Sequence, residues 1–246
     1  MKAPVADQTR LLVVQEHDMA LHRLAHQLAT MPAKTELAEA EVARDRISEV
    51  LATAGAAAHD VQRELTVVED EVTKVEQRRR RDLERLESGG GLSRELQALT
   101  AEVEALERRR DVLEDTQLEV MERLDEAQGR VEKLEDELAK TQAKVIALAQ
   151  QIAEATAQIE TERAAQVAAR AEAALGLDEA MMALYERVRE RGGGIGAAGL
   201  VARRCDGCRL EITPVYLAQL RGAAEDDVVR CEECGRILVR GLDSGL

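Results

Sequence analysis

The sequence has no phenylalanine and no tryptophan, and Tyr185 and Tyr216 are its only aromatic residues. A globular chain of 246 residues would normally bury many rings, so an aromatic-rich core is excluded. No run of about 18 apolar residues occurs, which argues against a membrane span. The start, Met1 to Arg10, has neither the basic n-region nor the apolar h-region of a signal peptide. A cytoplasmic, reducing location is expected, where thiols stay available for metal. There is also no G-x-x-x-x-G-K-[ST] loop, no nucleophile elbow and no carboxylate pair in a plausible cleft. We expect no enzyme and no small-molecule substrate.

What is abundant is Ala, Leu, Val, Glu and Arg, with 33% charged residues. This is the composition of long helices held by narrow apolar seams. The formal net charge of −14 repels nucleic acid at long range. The acidity is uneven: residues 76–110 carry 9 basic and 8 acidic groups, and residues 191–246 carry 8 of each.

One apolar seam starts at Leu92 and continues through Leu99, Val103, Leu106, Leu113, Val120, Leu124, Val131, Leu138, Val145, Leu148 and Ile152 to Ile159. Its steps alternate four and three, the period of a left-handed coiled coil. An upstream seam runs from Leu37 through Ala40, Ile47, Leu51, Ala54, Val61, Leu65, Val68 and Val75 to Leu86. Between them lies Ser88-Gly89-Gly90-Gly91, which ends one helix and permits positive φ. The fold class predicted is mainly α: a long antiparallel coiled-coil hairpin followed by a small C-terminal β zinc ribbon. With its tip near 88–91, residue numbers should pair to a sum of about 179, placing Leu65 opposite Leu113. About 55 residues per arm span roughly 80 Å at 1.5 Å per residue.

The second helix outruns the first. Residues 8–30 are expected to cover the excess with an apolar stripe of Leu12, Met19 and Leu24, and Pro32 separates this helix from the next. Residues 178–191 read as another helix capped by Asp178. The domain division predicted is a helical hairpin domain over 1–191, a glycine-rich joint over 192–202 and a ribbon over 203–246.

The only four cysteines form two C-x-x-C pairs, Cys205/Cys208 and Cys231/Cys234, with 22 residues between the pairs. Two such turns bring four thiolates to one point, and a tetrahedral tetrathiolate is a structural Zn²⁺ site with no open position for catalysis. One zinc per chain is expected, with these four residues as ligands. Thiol redox chemistry and a rubredoxin-like iron site are the competing readings. Leu210-Glu211-Ile212, Val228-Val229-Arg230 and Ile237-Leu238-Val239 read as strands, and Pro214 to Arg221 as a short helix. Gly207 and Gly235 suit the metal-binding turns. Arg203, Arg204, Arg209 and Arg236 can offset the site's net charge of about −2.

His22 and His26 stand one helical turn apart but lack a third ligand, so they read as a solvated pair. Arg78-Arg79-Arg80-Arg81 and Arg108-Arg109-Arg110 flank the tip on opposite arms. Arg78, Arg80, Arg81, Arg108 and Arg109, with Arg203 and Arg204 on the ribbon, are the candidate nucleic-acid contacts. The bland reading is a solvated face, because Asp82, Glu84, Glu87, Glu95, Glu104 and Glu107 interleave with the tip arginines.

Several segments carry a resemblance along nearly the full length. They are Leu11-Leu12-Val13-Val14-Gln15 with Asp18, Arg85-Leu86-Glu87-Ser88-Gly89-Gly90, Glu95-Leu96-Gln97-Ala98-Leu99, and Leu113-Glu114-Asp115 followed by Glu119-Val120-Met121-Glu122. Leu184-Tyr185-Glu186-Arg187 and the two cysteine knuckles complete the set. The chain resembles the bacterial C4-type zinc-ribbon proteins with a long coiled-coil hairpin, formerly a domain of unknown function. The resemblance implies a hairpin plus ribbon with Cys205, Cys208, Cys231 and Cys234 as ligands. Some members act as adaptors in flagellar or type III secretion systems, associated with an alternative sigma factor, a secretion ATPase or messenger RNA. The general adaptor role carries over rather than any named partner. The expected function is a non-catalytic scaffold that binds a protein through the coiled coil and the ribbon. The alternative is RNA or DNA binding through the ribbon or the arginine-rich tip.

Overall fold

A computed structural model describes residues 1–246. Five α-helices and four strands follow in the order α1 (Val5–Ala29), α2 (Pro32–Glu87), α3 (Ser93–Ala174), α4 (Glu179–Arg191), β1 (Ala197–Val201), β2 (Arg204–Cys205), α5 (Pro214–Gly222), β3 (Val229–Arg230) and β4 (Ile237–Arg240). The chain is mainly helical, as predicted, with the long hairpin followed by the small stranded ribbon. It forms two compact units: Lys34–Ala149 is one, and Met1–Ala33 with Gln150–Leu246 is the other.

In the first of these units α2 and α3 run antiparallel. Within this unit every buried residue of the pair is a seam position: Ala40, Ala54 and Leu65 on α2, and Val103, Leu106, Leu113, Val120, Leu124 and Leu148 on α3. Alanine at two of the three α2 positions keeps the apolar burial small. Ion pairs also cross between the arms. Arg78 meets Glu102 at 2.7 Å, Arg79 meets Glu107 at 2.8 Å and Arg109 meets Glu71 at 3.2 Å. Arg123 grips Glu64 with two bonds of 3.0 and 2.9 Å. Such exposed pairs contribute about 0.2–1 kcal/mol each, so their main effect is to select the alignment of the arms.

The alignment corrects the expected one. Leu65 clusters with Val120 and Leu124, supported by Val61, about two to three turns beyond Leu113. Counting outward from the glycines ignores the lean of helical side chains toward their own N-terminus. On antiparallel helices this lean raises the partner's number by about two positions, and cross-arm packing sets the rest of the shift. At the tip, Gly89 and Gly91 adopt φ of +64° and +152°, and Glu95 accepts a hydrogen bond from the Leu92 amide at 3.0 Å.

The other unit is built on α1, the end of α3, α4 and a sheet of order β2-β1-β4-β3. β1 is parallel to β4, with Ala197 beside Ile237 and Ala198 beside Leu238. Successive residues therefore face opposite sides. Ala197 and Ile237 pack with Leu11, Val14, Met181 and Tyr185 from the helices. Ala198 and Leu238 pack instead with Leu200, Ile212, Leu217 and Leu220 around the cysteines. The residues expected as a joint, 192–202, thus hold the strand that carries both cores. Helices predicted to belong with the hairpin share a compact unit with the ribbon.

Two further readings are corrected. Leu210-Glu211-Ile212 forms no strand and makes a single bridge, Arg204 to Glu211. Arg209 turns the backbone left-handed at φ +64°, and Thr213 already caps α5 by accepting from the Tyr216 amide, so too few residues remain to extend. On α1 the buried face is Leu11, Val14 and Leu24 with Gln8, Gln15 and Asp18, while Met19 stays 43% exposed.

Those polar residues are fully used. Gln15 Oε1 accepts from the amides of Gly196 at 2.6 Å and Ala197 at 3.3 Å, and its Nε2 donates to the Gly194 carbonyl at 3.0 Å. Tyr185, entirely buried, donates its hydroxyl to Asp18 Oδ2 at 2.6 Å. Burial first, then the hydrogen bond to the Asp18 carboxylate, raises the Tyr185 pKa far above its ordinary value. Arg170 closes the network on Asp18 at 2.7 Å and on Glu186. A Cβ on Gly196 would lie 2.7 Å from the Tyr185 ring, so only glycine allows this approach.

The register is directly testable. Under mild oxidation of zinc-loaded protein, a Leu65→Cys, Val120→Cys pair should crosslink within the chain and a Leu65→Cys, Leu113→Cys pair should not. The reverse pattern by mass spectrometry would restore the sum-179 alignment.

Candidate metal centre

Each C-x-x-C turn is set by the sheet. Cys205 ends β2, and Cys231 directly follows β3. Behind each first cysteine the chain reverses tightly, with Arg209 N donating to the Cys205 carbonyl at 2.6 Å and Gly235 N to the Cys231 carbonyl at 2.9 Å. Glycine is required in both knuckles. Gly235 has φ +70°, and a Cβ on Gly207 would lie 2.7 Å from Arg236 Cδ and 2.9 Å from Ala198 Cβ.

The four Sγ atoms lie within 4.8 Å of one another. Cys205 to Cys234 is 3.9 Å and Cys208 to Cys231 is 3.8 Å. A tetrahedron with Zn–S bonds of about 2.3 Å has edges of about 3.8 Å, so these two edges match and the donor set fits one Zn²⁺. Cys205 and Cys231 are buried, and Cys208 and Cys234 are half-buried. Without metal the thiols differ. Burial pushes Cys205 up to about 12, against the opposing amides of Cys208 and Gly207. Burial likewise raises Cys231. For Cys234 burial is outweighed by the Arg236 amide, the Cys231 thiol and the Arg236 guanidinium, and it falls to about 7.

Arg236 links the centre to the helices. Its guanidinium helps lower the Cys234 thiol and donates to the carbonyls of Gly192 at 2.6 Å and Ile195 at 3.2 Å. Of the four arginines expected to offset the thiolate charge, it is the one that lowers the Cys234 thiol. Arg204 faces Glu211 at 4.0 Å, and Arg203 donates to the Gly245 carbonyl at 3.2 Å. With four protein thiolates converging, the centre is structural: the zinc has no position left for a substrate.

The remaining candidate residues fall as follows. Arg78, Arg80, Arg81, Arg108 and Arg109 are all exposed near the tip. Arg78 and Arg109 are engaged with carboxylates of the opposite arm, and Arg80 lies 3.7 Å from Glu84. His22 and His26 are exposed on α1. The Gln15–Asp18–Tyr185–Arg170 network was not anticipated. The available signal was polar residues at Gln8, Gln15 and Asp18 on the same helical face as Leu11 and Val14.

Protons compete with zinc for these sulfurs. Cys205 and Cys231 hold theirs across the neutral range without metal, so zinc displaces both. Zinc affinity should therefore fall as pH falls, by about tenfold per pH unit for each displaced proton. The slope should steepen below about 7, where Cys234 also becomes protonated. A competitive chelator titration from pH 8 to 6 checks this, and a flat profile would contradict it.

Residues 14–193 match the CT398-like coiled coil hairpin domain, and residues 204–238 match the C4-type zinc ribbon domain. An uncharacterized protein of Mycobacterium tuberculosis strain H37Rv is 37% identical over 240 residues, 98% of each chain. One from Mycobacterium leprae is 29% identical over 228 residues, covering 93% of this chain and 97% of its own. A solved structure from Mycobacterium smegmatis superposes with a TM-score of 0.80 at 33% identity, covering 98% of this chain and 100% of that one. CT398 from Chlamydia trachomatis shares the fold, with a TM-score of 0.61 at 21% identity over 96% of this chain and 98% of its own. With its seam, glycine tip and four converging thiols, the chain belongs to the CT398-like coiled-coil hairpin family and carries a C4-type zinc ribbon at its C-terminal end.

Proposed function

We propose that this protein is a non-catalytic adaptor of the cytoplasm, binding a protein partner through the hairpin, with the zinc ribbon as a second contact. The observation that carries this reading is an apolar groove on the outside of the hairpin. Val42, Ala43, Ile47 and Val50 of α2 form it with Leu134 of α3, and Glu39 and Glu137 lie at its rim. Val42 is 70% exposed, although it sits on a helix whose seam is already satisfied. Apolar residues at helical spacing beside charged ones are what an amphipathic partner helix requires.

The tip supports nucleic-acid binding less well. Arg78, Arg79 and Arg109 already bond glutamates across the hairpin, and the net charge of −14 opposes a polyanion. Their pairing fits a role in aligning the two arms.

The test is co-purification from the organism of origin with wild type and a Val42→Glu, Val50→Glu variant. We expect a protein that survives high-salt washing with wild type and is lost with the variant, while helicity and zinc content are unchanged. Retention of the same protein by the variant would contradict the reading. Nucleic acid that dissociates steeply with salt would replace it.

A further inference from the structure

We propose that a small cleft between α4 and the β3–β4 knuckle receives a carboxylate side chain from an acidic segment of the partner. The inference rests on the adaptor reading above but uses a different surface. The cleft has a volume of about 230 Å³ and is walled by Leu184, Arg187, Val188 and Arg191 of α4, with Arg230 and Gly235 opposite. Arg187 and Arg191 stand one turn apart and make no ion pair or hydrogen bond. Elsewhere on the helices Arg78, Arg109, Arg123 and Arg170 hold carboxylates of the same chain, whereas the arginines of this cleft hold none.

Arg230 is fixed in place. Its Nε donates to the Gly235 carbonyl at 2.7 Å, and a Cβ on Gly235 would sit 3.0 Å from its Nη2. The rest of its guanidinium has no protein acceptor. Three guanidinium groups therefore line one small space with no protein carboxylate among them. Their mutual repulsion is relieved by an anion, and a planar carboxylate matches the arginine fork with two parallel bonds. Cys234 also lines this space, and its Sγ is committed to the metal centre with the other three cysteines.

Size and surroundings favour one carboxylate over a nucleic-acid strand. The space admits a single side chain, and Leu184 and Val188 cover the methylenes of a glutamate. A short acidic segment meets far less of the chain's net negative field than a phosphate backbone does.

The probe is the peptide acetyl-Leu-Glu-Glu-Leu-amide, titrated into zinc-loaded full-length protein and followed by NMR of the arginine Nε–H groups. Saturable shifts are expected at Arg187, Arg191, Arg230 and the Gly235 amide, and none with acetyl-Leu-Gln-Gln-Leu-amide. An Arg187→Ala, Arg191→Ala variant should weaken peptide binding at least about tenfold, as expected for lost charge-assisted bonds, with zinc content unchanged. No saturable shift at these residues, equal shifts with the glutamine peptide, or tighter binding there of a single-stranded oligonucleotide would overturn the proposal. None of those results touches the Val42–Val50 groove, so the adaptor reading stands or falls on its own test.

Discussion

Four thiolates meeting at one point are the constraint on which the ribbon depends. Residues 197–246 hold a single aromatic ring, Tyr216, and only short strands, two of them of two residues. A segment this small buries too little apolar surface to fold on packing alone. The metal supplies the missing cohesion by fixing Cys205 and Cys231 inside the same cluster as Leu200, Ile212, Leu217 and Leu238. Metal binding and folding are then one event. Arg236 carries the consequence outward, since it stands two residues beyond Cys234 and its guanidinium donates to the carbonyls of Gly192 and Ile195 after α4.

A second constraint acts from the N-terminal side. Gln15, Asp18 and Tyr185 are buried polar groups, and each would be destabilising if left without a partner. Together they satisfy one another and the amides at the start of β1. The N-terminal residues add to this, with Ala3 donating to the Asp226 carbonyl at 2.8 Å and Gln8 bonding the carbonyls of Ala3 and Glu225. α1 therefore reaches the ribbon through hydrogen bonds as well as the apolar contacts of Leu11 and Val14.

Features with a strict period or a fixed chemistry were legible in the sequence. The seam positions Ala40, Leu65, Val103, Leu113 and Val120 are the ones that bury, the triple glycine marks the tip, Asp178 caps α4 and the four cysteines converge. What escaped depended on contacts between distant residues. Side-chain lean accounts for only about two positions of the shift of Leu65 from Leu113 to Val120 and Leu124, and long-range packing of the arms sets the rest. β1 was read as part of a joint because Ala197, Ala198 and Gly199 have little strand propensity, and their pairing with β4 is set by tertiary structure. The α1 face was misread because three of its buried residues are polar, which hides it from any count of apolar spacing.

A closed metal centre holds the ribbon together, and we propose that recognition falls to surfaces: an apolar groove on the hairpin and an arginine-lined cleft beside the ribbon. X-ray absorption spectroscopy at the zinc edge of the metal-loaded protein tests that centre most directly. The account predicts one zinc per chain with four sulfur neighbours at about 2.3 Å. A nearest shell with an oxygen or nitrogen at about 2.0 Å would contradict it, because the zinc would then have a position open to water or substrate.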